Sequence, residues 1–354
     1  MNARTPVPLR PDPLALAARH RKSLARALVA SGRAAFQSGT SPRHVLEKTW
    51  SFDDDAALIL RSASAITDTD SAPALLTEII EAVILGSVGA GAALLRRSLL
   101  LSFDRAASIS LPALIADASH AGFVQEGAPI PVHEHGSGTP SKMEPRAIKT
   151  IYTLTREMVE GSNAVALVEE CAKRSIGLSL DAHLFDNVAG DDIRPEGLRY
   201  NVAAETASGA SDPHDAMLED IETLLTAVAP VGGDVVLIAD TTRARMMPAR
   251  SRGGVLPPVL GSSAINTDDL LAVSTDALAC AMSPDIELKT SREAVAHFED
   301  NAPLPISVPG TPNTISAPTI SLFQIDGIGQ RLKLGVTWQK RHEDTCAWMT
   351  TTAW

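Results

Sequence analysis

The chain has 354 residues, enough for one large domain or two ordinary ones, and its 45% apolar and 21% charged residues are the balance of a folded globular protein. Its three cysteines, Cys171, Cys280 and Cys346, lie far apart with no CxxC spacing, which speaks against a disulfide framework or a zinc site and for a reducing compartment. Net charge is −11, but residues 1–50 carry nine Lys/Arg against Asp12 and Glu47, a local +7 that leaves −18 on the rest; an acidic body is a poor wrapper of nucleic acid, so any polyanion contact falls to the basic leader.

The N-terminal stretch has basic residues inside its apolar period and no long apolar core, so it reads as neither signal peptide nor membrane anchor. Residues 14–36, rich in Ala, Leu and Arg, predict a helix bounded by prolines before it and SGTSP after it, a separable leader. In FDDDAALILRSASAITDTDSAP the Ser/Thr/Asp-rich second half lacks periodicity and reads as an extended arm. ALLTEIIEAVIL (74–85) predicts a short helix ending at Gly86.

From about Ile109 to Thr155 the pattern turns to strands around EGAPIPVHEHGSGTPSKMEP, with AIKTIYTLT as the returning limb of a long hairpin. A two-stranded ribbon of this length is marginal in water alone and must lie on another surface. Residues 162–185 give the clearest helix. Ser162 or Asn163 caps it, Val165, Val168, Ala172, Ile176 and Leu180 form its apolar stripe, and Glu169 with Lys173 and Glu170 with Arg174 are spaced as i,i+4 pairs.

After DNVAGDDIRPEGL, Asp212 caps a helix that opens on Pro213 and buries Met217, Ile221, Leu224, Leu225 and Val228. VVLIA (235–239) predicts a strand buried on both faces. Short strands and turns follow to residue 306. In the C-terminal strand, Leu332, Leu334, Val336 and Trp338 point one way while Arg331, Lys333 and Thr337 point the other.

Chemistry is thinly signalled. His133 and His135 flank Glu134, but a lone His-x-His in a Gly/Pro-rich loop lacks the further ligands of a metal site. His135-Gly-Ser-Gly is not a GxSxG, no GxxxxGK[ST] is present, and VVLIAD runs into TTRARMM rather than glycines. Cys171 and Cys280 sit among apolar residues and read as core. No catalytic, cofactor or metal residue can be named, and an α/β hydrolase or transferase is the remote alternative.

Taken in order, the segments from about residue 60 resemble the major capsid protein family of tailed bacteriophages, with the Hong Kong 97 type fold. FVQEGAPIPV resembles that family's hairpin signature, KTIYTLTREMVEGSNAVALVEECAKRSIGLSLDAHLF its return strand and spine helix, and DNVAGDDIRPEGL the loop after it. DVVLIADTTRARMM, LLAVSTDALACAMSPDIELKTSREAVAHFED and SLFQIDGIGQRLKLGVTWQKRHEDTCAWMT resemble the later strands and helix, with Gln324, Asp326, Arg331 and Trp338 placed as in the family.

The resemblance implies an α+β subunit: a basic helical leader (1–58), an N-terminal arm (59–107), an extended hairpin or E-loop (108–155), a peripheral domain with the spine helix (156–212), an axial domain (213–306) and C-terminal strands returning to the peripheral domain (307–354). It implies hexamers and pentamers in an icosahedral shell around double-stranded DNA bound without sequence specificity. The particle is then a tailed phage, prophage or gene-transfer particle made in a bacterial cytoplasm without membrane contact, and a portal, scaffold or maturation protease are its expected partners. An encapsulin-like compartment is the alternative with the same fold.

Implied inter-subunit contacts are Phe123, Glu126, Pro129, Ile130, His133, Lys142 and Arg146. Val165, Val168, Ala172 and Ile176 are the spine core, and Arg19, Arg21, Lys22 and Arg26 are candidates for an interior polyanion or scaffold. The hairpin tip has no lysine beside Glu126, so covalent crosslinking is not implied.

Overall fold

The computed structural model describes residues 13–37, 39–50, 53–62, 72–103, 107–111, 141–252, 254–297, 307–308, 310, 314–315, 319–351 and 354. The chain divides into two compact units, one of residues 1–86, 149–172 and 285–334, the other of residues 87–148, 173–284 and 335–354.

In the first unit, helix α1 (Pro13–Phe36) is central. Its Leu24, Ala25, Ala27, Leu28, Val29 and Ala30 are almost wholly buried, and α2 (Pro42–Thr49), α3 (Asp54–Ser62) and α4 (Ala72–Ile84) pack around it. The expectation of a separable leader is therefore corrected. Six small or apolar residues within the seven positions 24–30 cover more of the helix circumference than one stripe, and such a helix is stable only inside a core. The side-chain amide of Gln330 also donates to the Leu28 carbonyl at 2.7 Å, and Arg33 donates to the Val159 carbonyl at 2.9 Å.

The arm expected in the second half of FDDDAALILRSASAITDTDSAP falls on residues 63–71, outside the described residues; the first half forms α3, the helix expected over 74–85 is α4, and α5 (Ala90–Leu95) and strand β1 (Leu99–Ser102) follow in the other unit. The missed signal for α3 was Asp53. Its carboxylate accepts the Ala56 N–H at 3.1 Å as a helix cap, and Asp54 and Asp55 in the first turn complement the helix dipole.

The second unit is built on a sheet of order β5 (Ala204–Glu205), β15 (Cys346–Thr350), β8 (Asp269–Ser274), β6 (Val235–Ala239) and β7 (Val259–Gly261). β6 runs antiparallel to β8 and parallel to β7, and Val236 to Ala239 are fully buried, as the run VVLIA predicts. Helix α8 (Pro213–Val228) starts on Asp212, which accepts the His214 N–H at 2.8 Å, and Met217, Ile221, Leu224 and Val228 face the core while Leu225 is half-buried. Gly232, at φ +70°, takes the backbone out of the turn that follows α8.

Three further expectations change. AIKTIYTLT is a strand, β4 (Ala147–Thr155), but it pairs with β14 (Gly327–Lys340), while the hairpin's returning limb is β3 (Ser141–Met143) against β2 (Ile109–Leu111). β15 pairs with β5 on one side and with β8 on the other, where its buried Cys346, Ala347 and Met349 find apolar surface. β9 (Leu278–Ser291) is 14 residues long rather than one of a run of short strands. In β14 the expected alternation holds from Arg331 to Leu334, but Thr337 is only 3% exposed, because from Gly335 to Trp338 both faces are covered.

The remaining strands are short pairs: β10 (Val295–His297) with β13 (Thr319–Ser321) and β11 (Ser307–Val308) with β12 (Thr314–Ile315).

Candidate assembly interface

Residues 109–111 and 141–143 form a paired root. β2 and β3 are antiparallel with Ile109 opposite Met143 and Leu111 opposite Ser141, so the chain leaves at residue 111 and returns beside it at residue 141. The root is seated by its apolar side chains: Leu111 and Met143 join Phe103, Ala279 and Ala281 in one cluster, with Leu101 and Ile109 against it. On the polar side Glu144 lies 3.1 Å from Lys142 and 3.3 Å from Arg146. The hydrogen bond and charge of Lys142, then the charge of Arg146, hold the Glu144 carboxyl below the ordinary glutamate range.

After β4, helix α6 (Arg156–Glu160) leads to the long helix α7 (Ala164–Leu184). Ala164, Val168, Ala172, Ile176, Leu180 and Leu184 are buried along it at a spacing of four, and Val165 is only half-buried. In the second unit the helix is crossed at close range by residues 87–91. A Cβ on Gly177 would collide with the Val88 carbonyl, so only glycine permits this approach. One turn on, the buried Asp181 accepts from the Ala90 N–H at 3.1 Å, the Gly91 N–H at 2.7 Å and the Ser262 hydroxyl at 2.6 Å. It thus ties α7 to the start of α5 and the end of β7.

Burial pushes the Asp181 carboxyl above the ordinary aspartate range, and its three donors only partly offset this. A raised folded-state pKa means that the group's contribution to stability is complete below the unfolded value, about pH 4, and is lost as pH rises through the folded value. Asp181→Asn freezes the uncharged state but turns an amide donor toward one of the three donors, costing about 1–3 kcal/mol. The stability advantage of the native chain over this variant is therefore expected to be largest in acid and to shrink toward neutral pH. Denaturant titrations at a series of pH values check this, and a gap that widens with pH contradicts it.

The loop after α7 is pinned. Arg194 donates to both Asp186 oxygens at 2.8 and 2.6 Å, Asp191 accepts from the backbone N–H groups of Ile193 and Arg194 at 2.7 and 2.8 Å, and the Leu198 N–H donates to Leu184 at 2.8 Å. Those two backbone hydrogen bonds hold the Asp191 carboxyl below its ordinary range. The loop nonetheless shows Val188 and Ile193 to solvent, the latter at 79%. A fixed loop with an apolar tip is suited to contact with another molecule.

Of the residues assigned to inter-subunit contact, Phe123, Glu126, Pro129, Ile130 and His133, like His135, lie outside the described residues. Lys142 and Arg146 sit at the hairpin root. The leader arginines face acids within the first unit: Arg19 lies 3.3 Å from Asp55, Arg21 3.9 Å from Glu169, and Arg26 2.7 Å from Asp53, while Lys22 is exposed. Asp53, pushed up by burial, is held below the ordinary range by hydrogen bonds from Arg26, the Ala56 backbone and Ser23, which together outweigh it.

Cys171, expected in the core, is exposed, whereas Cys280 and Cys346 are buried and burial pushes the Cys346 thiol up to about 12. Among the described residues no three His, Cys, Asp or Glu side chains gather as metal ligands, and no helix is long and apolar enough to cross a membrane. An open groove of about 500 Å³ between α8 and residues 255–257 has Glu222 as its one titratable lining residue. Sequence reasoning missed Asp181 and Gly177. The signal was there, since Asp181 lies beside the apolar stripe and the residues four away, Gly177 and Phe185, offer no opposite charge.

No family model and no curated protein matches the chain. Solved structures do. A structure of Microbacterium phage Oxtober96 is 17% identical, over 82% of this chain and 94% of that one, with a TM-score of 0.48. A satellite phage P4 procapsid is 8% identical over the same shares, with a TM-score of 0.49. A holo-encapsulin complex from Synechococcus elongatus is 12% identical, over 80% of this chain and 92% of that one, with a TM-score of 0.42. The solved structures similar to this chain are thus phage and shell proteins, at identities and TM-scores too low to carry an argument about what this chain does.

Proposed function

We propose that the chain is a non-catalytic shell subunit of the Hong Kong 97 type, the major capsid protein of a tailed phage, prophage or gene-transfer particle. The observation that supports this most is the hairpin root: residues 111 and 141 are paired, and the chain runs on from the root through β4 into a long helix and a pinned loop. That is the order in which the sequence resembles the capsid family. In this reading the stretch that the sequence predicts as a hairpin docks on a neighbouring copy, since a two-stranded ribbon alone is marginal in water. In this reading the copies form hexamers and pentamers around double-stranded DNA, with a portal, scaffold or maturation protease as partners.

Electron microscopy of the purified protein and of the source lysate tests the proposal. Closed particles of one repeated subunit are expected, holding nuclease-protected DNA; particles filled with a protein cargo select an encapsulin-like compartment instead. Monomers and dimers under every condition contradict both. Charge changes at His133 or Glu134 are expected to alter assembly and leave the monomer folded.

A further inference from the structure

We infer that the free edge of β4 is a self-complementary docking edge, pairing antiparallel with β4 of a second copy about a two-fold axis at Ile151. Among the described residues β4 is the outermost strand of its sheet, with β14 on one side and no strand on the other. Nine residues long and rich in β-branched side chains, it is the kind of open edge that recruits another strand.

The register follows from two hydrogen bonds. At one end of β4 the Val336 N–H donates to the Arg146 carbonyl at 3.0 Å, and at the other the Arg156 N–H donates to the Asp326 carbonyl at 3.3 Å. The positions run in opposite directions, so the pair is antiparallel, and in such a ladder alternate residues turn their N–H and C=O toward the partner. The even-numbered residues of β4 face β14. Lys149, Ile151, Thr153 and Thr155 therefore turn their backbone groups to the open edge.

The odd-numbered side chains also lie on the solvent face, where Ile151 is 69% exposed, while Leu154 on the other face is buried. The occupant is fixed by what a strand can offer this edge without conflict. Centred on Ile151, two antiparallel copies place Ile151 against Ile151 and Lys149 against Thr153, so that the strand's one charge meets a hydroxyl and no like charges are opposed. The two Ile151 residues form a hydrogen-bonded pair with Cα atoms about 5.5 Å apart, which is disulfide distance after replacement by cysteine.

This contact deepens the shell reading, but its test is independent of particle formation. In a Cys171→Ser background, oxidised Ile151→Cys is expected to give a covalent dimer on a non-reducing gel. Lys149→Cys alone gives none, and Lys149→Cys with Thr153→Cys restores it. Ile151→Lys and Ile151→Glu, both at an exposed site, are each expected to weaken self-association roughly tenfold, and a mixture of the two to recover it. Absence of both the disulfide dimer and the mixed recovery overturns the inference. If native chains still form particles in that case, the shell reading stands and the edge contact alone is wrong; if the dimer forms without particles, the reverse holds.

Discussion

Replacing Val168 or Ile176 with Asp is expected to abolish soluble folded protein. Both side chains are buried on α7, at 5% and 1% exposure, Val168 in the first unit and Ile176 in the second. An unpaired carboxylate there is either ionised in an apolar surrounding or protonated at the expense of a raised pKa. With the lost methyl contacts the cost is about 4 kcal/mol or more, set against a stability of about 5–15 kcal/mol for an ordinary domain. Leu167→Asp and Leu178→Asp are the controls, since on the same helix those residues are 43% and 51% exposed. They should leave soluble yield and helical circular dichroism unchanged. Equal loss in all four variants would mean that the buried stripe is not what holds the helix.

Arg243→Met is expected to lower the stability of the second unit by about 3 kcal/mol, a fall in its melting temperature of about 6–12 °C. Only 8% exposed on α9 (Thr241–Arg250), Arg243 donates to the Thr351 hydroxyl, to the carbonyls of Thr351 at 3.3 Å and Trp354 at 3.1 Å, and to the Asp268 carbonyl at 3.2 Å. Its guanidinium also lies 4.6 Å from the Trp354 ring centre. Methionine keeps the stem packing but takes this donor from the Thr351 and Trp354 carbonyls, while the Asp268 carbonyl keeps the Thr351 N–H at 2.7 Å, and the segment after β15 loses its tie to α9.

Trp354 has a second tie, its indole N–H donating to Asp220 on α8 at 2.6 Å. Trp354→Phe should cost less, about 2 kcal/mol, because the hydrogen bond to the buried Asp220 carboxylate goes and the ring contact with Arg243 weakens, while the hydrogen bonds of Arg243 stay. Thermal unfolding followed by tryptophan fluorescence separates the two. A methionine variant as stable as the native chain would show that the clamp contributes nothing net.

Periodicity by itself determined the elements whose burial is local: α1, α4, α7, the Asp212 cap and buried face of α8, the fully buried β6, and the alternation of β14 up to Leu334. The order of helical and strand segments was legible too. What the sequence left open was partnership. Whether α1 hangs free or fills a core, whether β4 pairs with the hairpin or with β14, and where β15 inserts all depend on surfaces distant in the chain. Strand propensity is the same whichever neighbour supplies the hydrogen bonds, so no local pattern distinguishes these outcomes. The tertiary structure also decided the polar ties. Asp181 and Arg243 look like ordinary surface charges in sequence, and become buried fasteners only because the fold brings backbone donors or carbonyls to meet them.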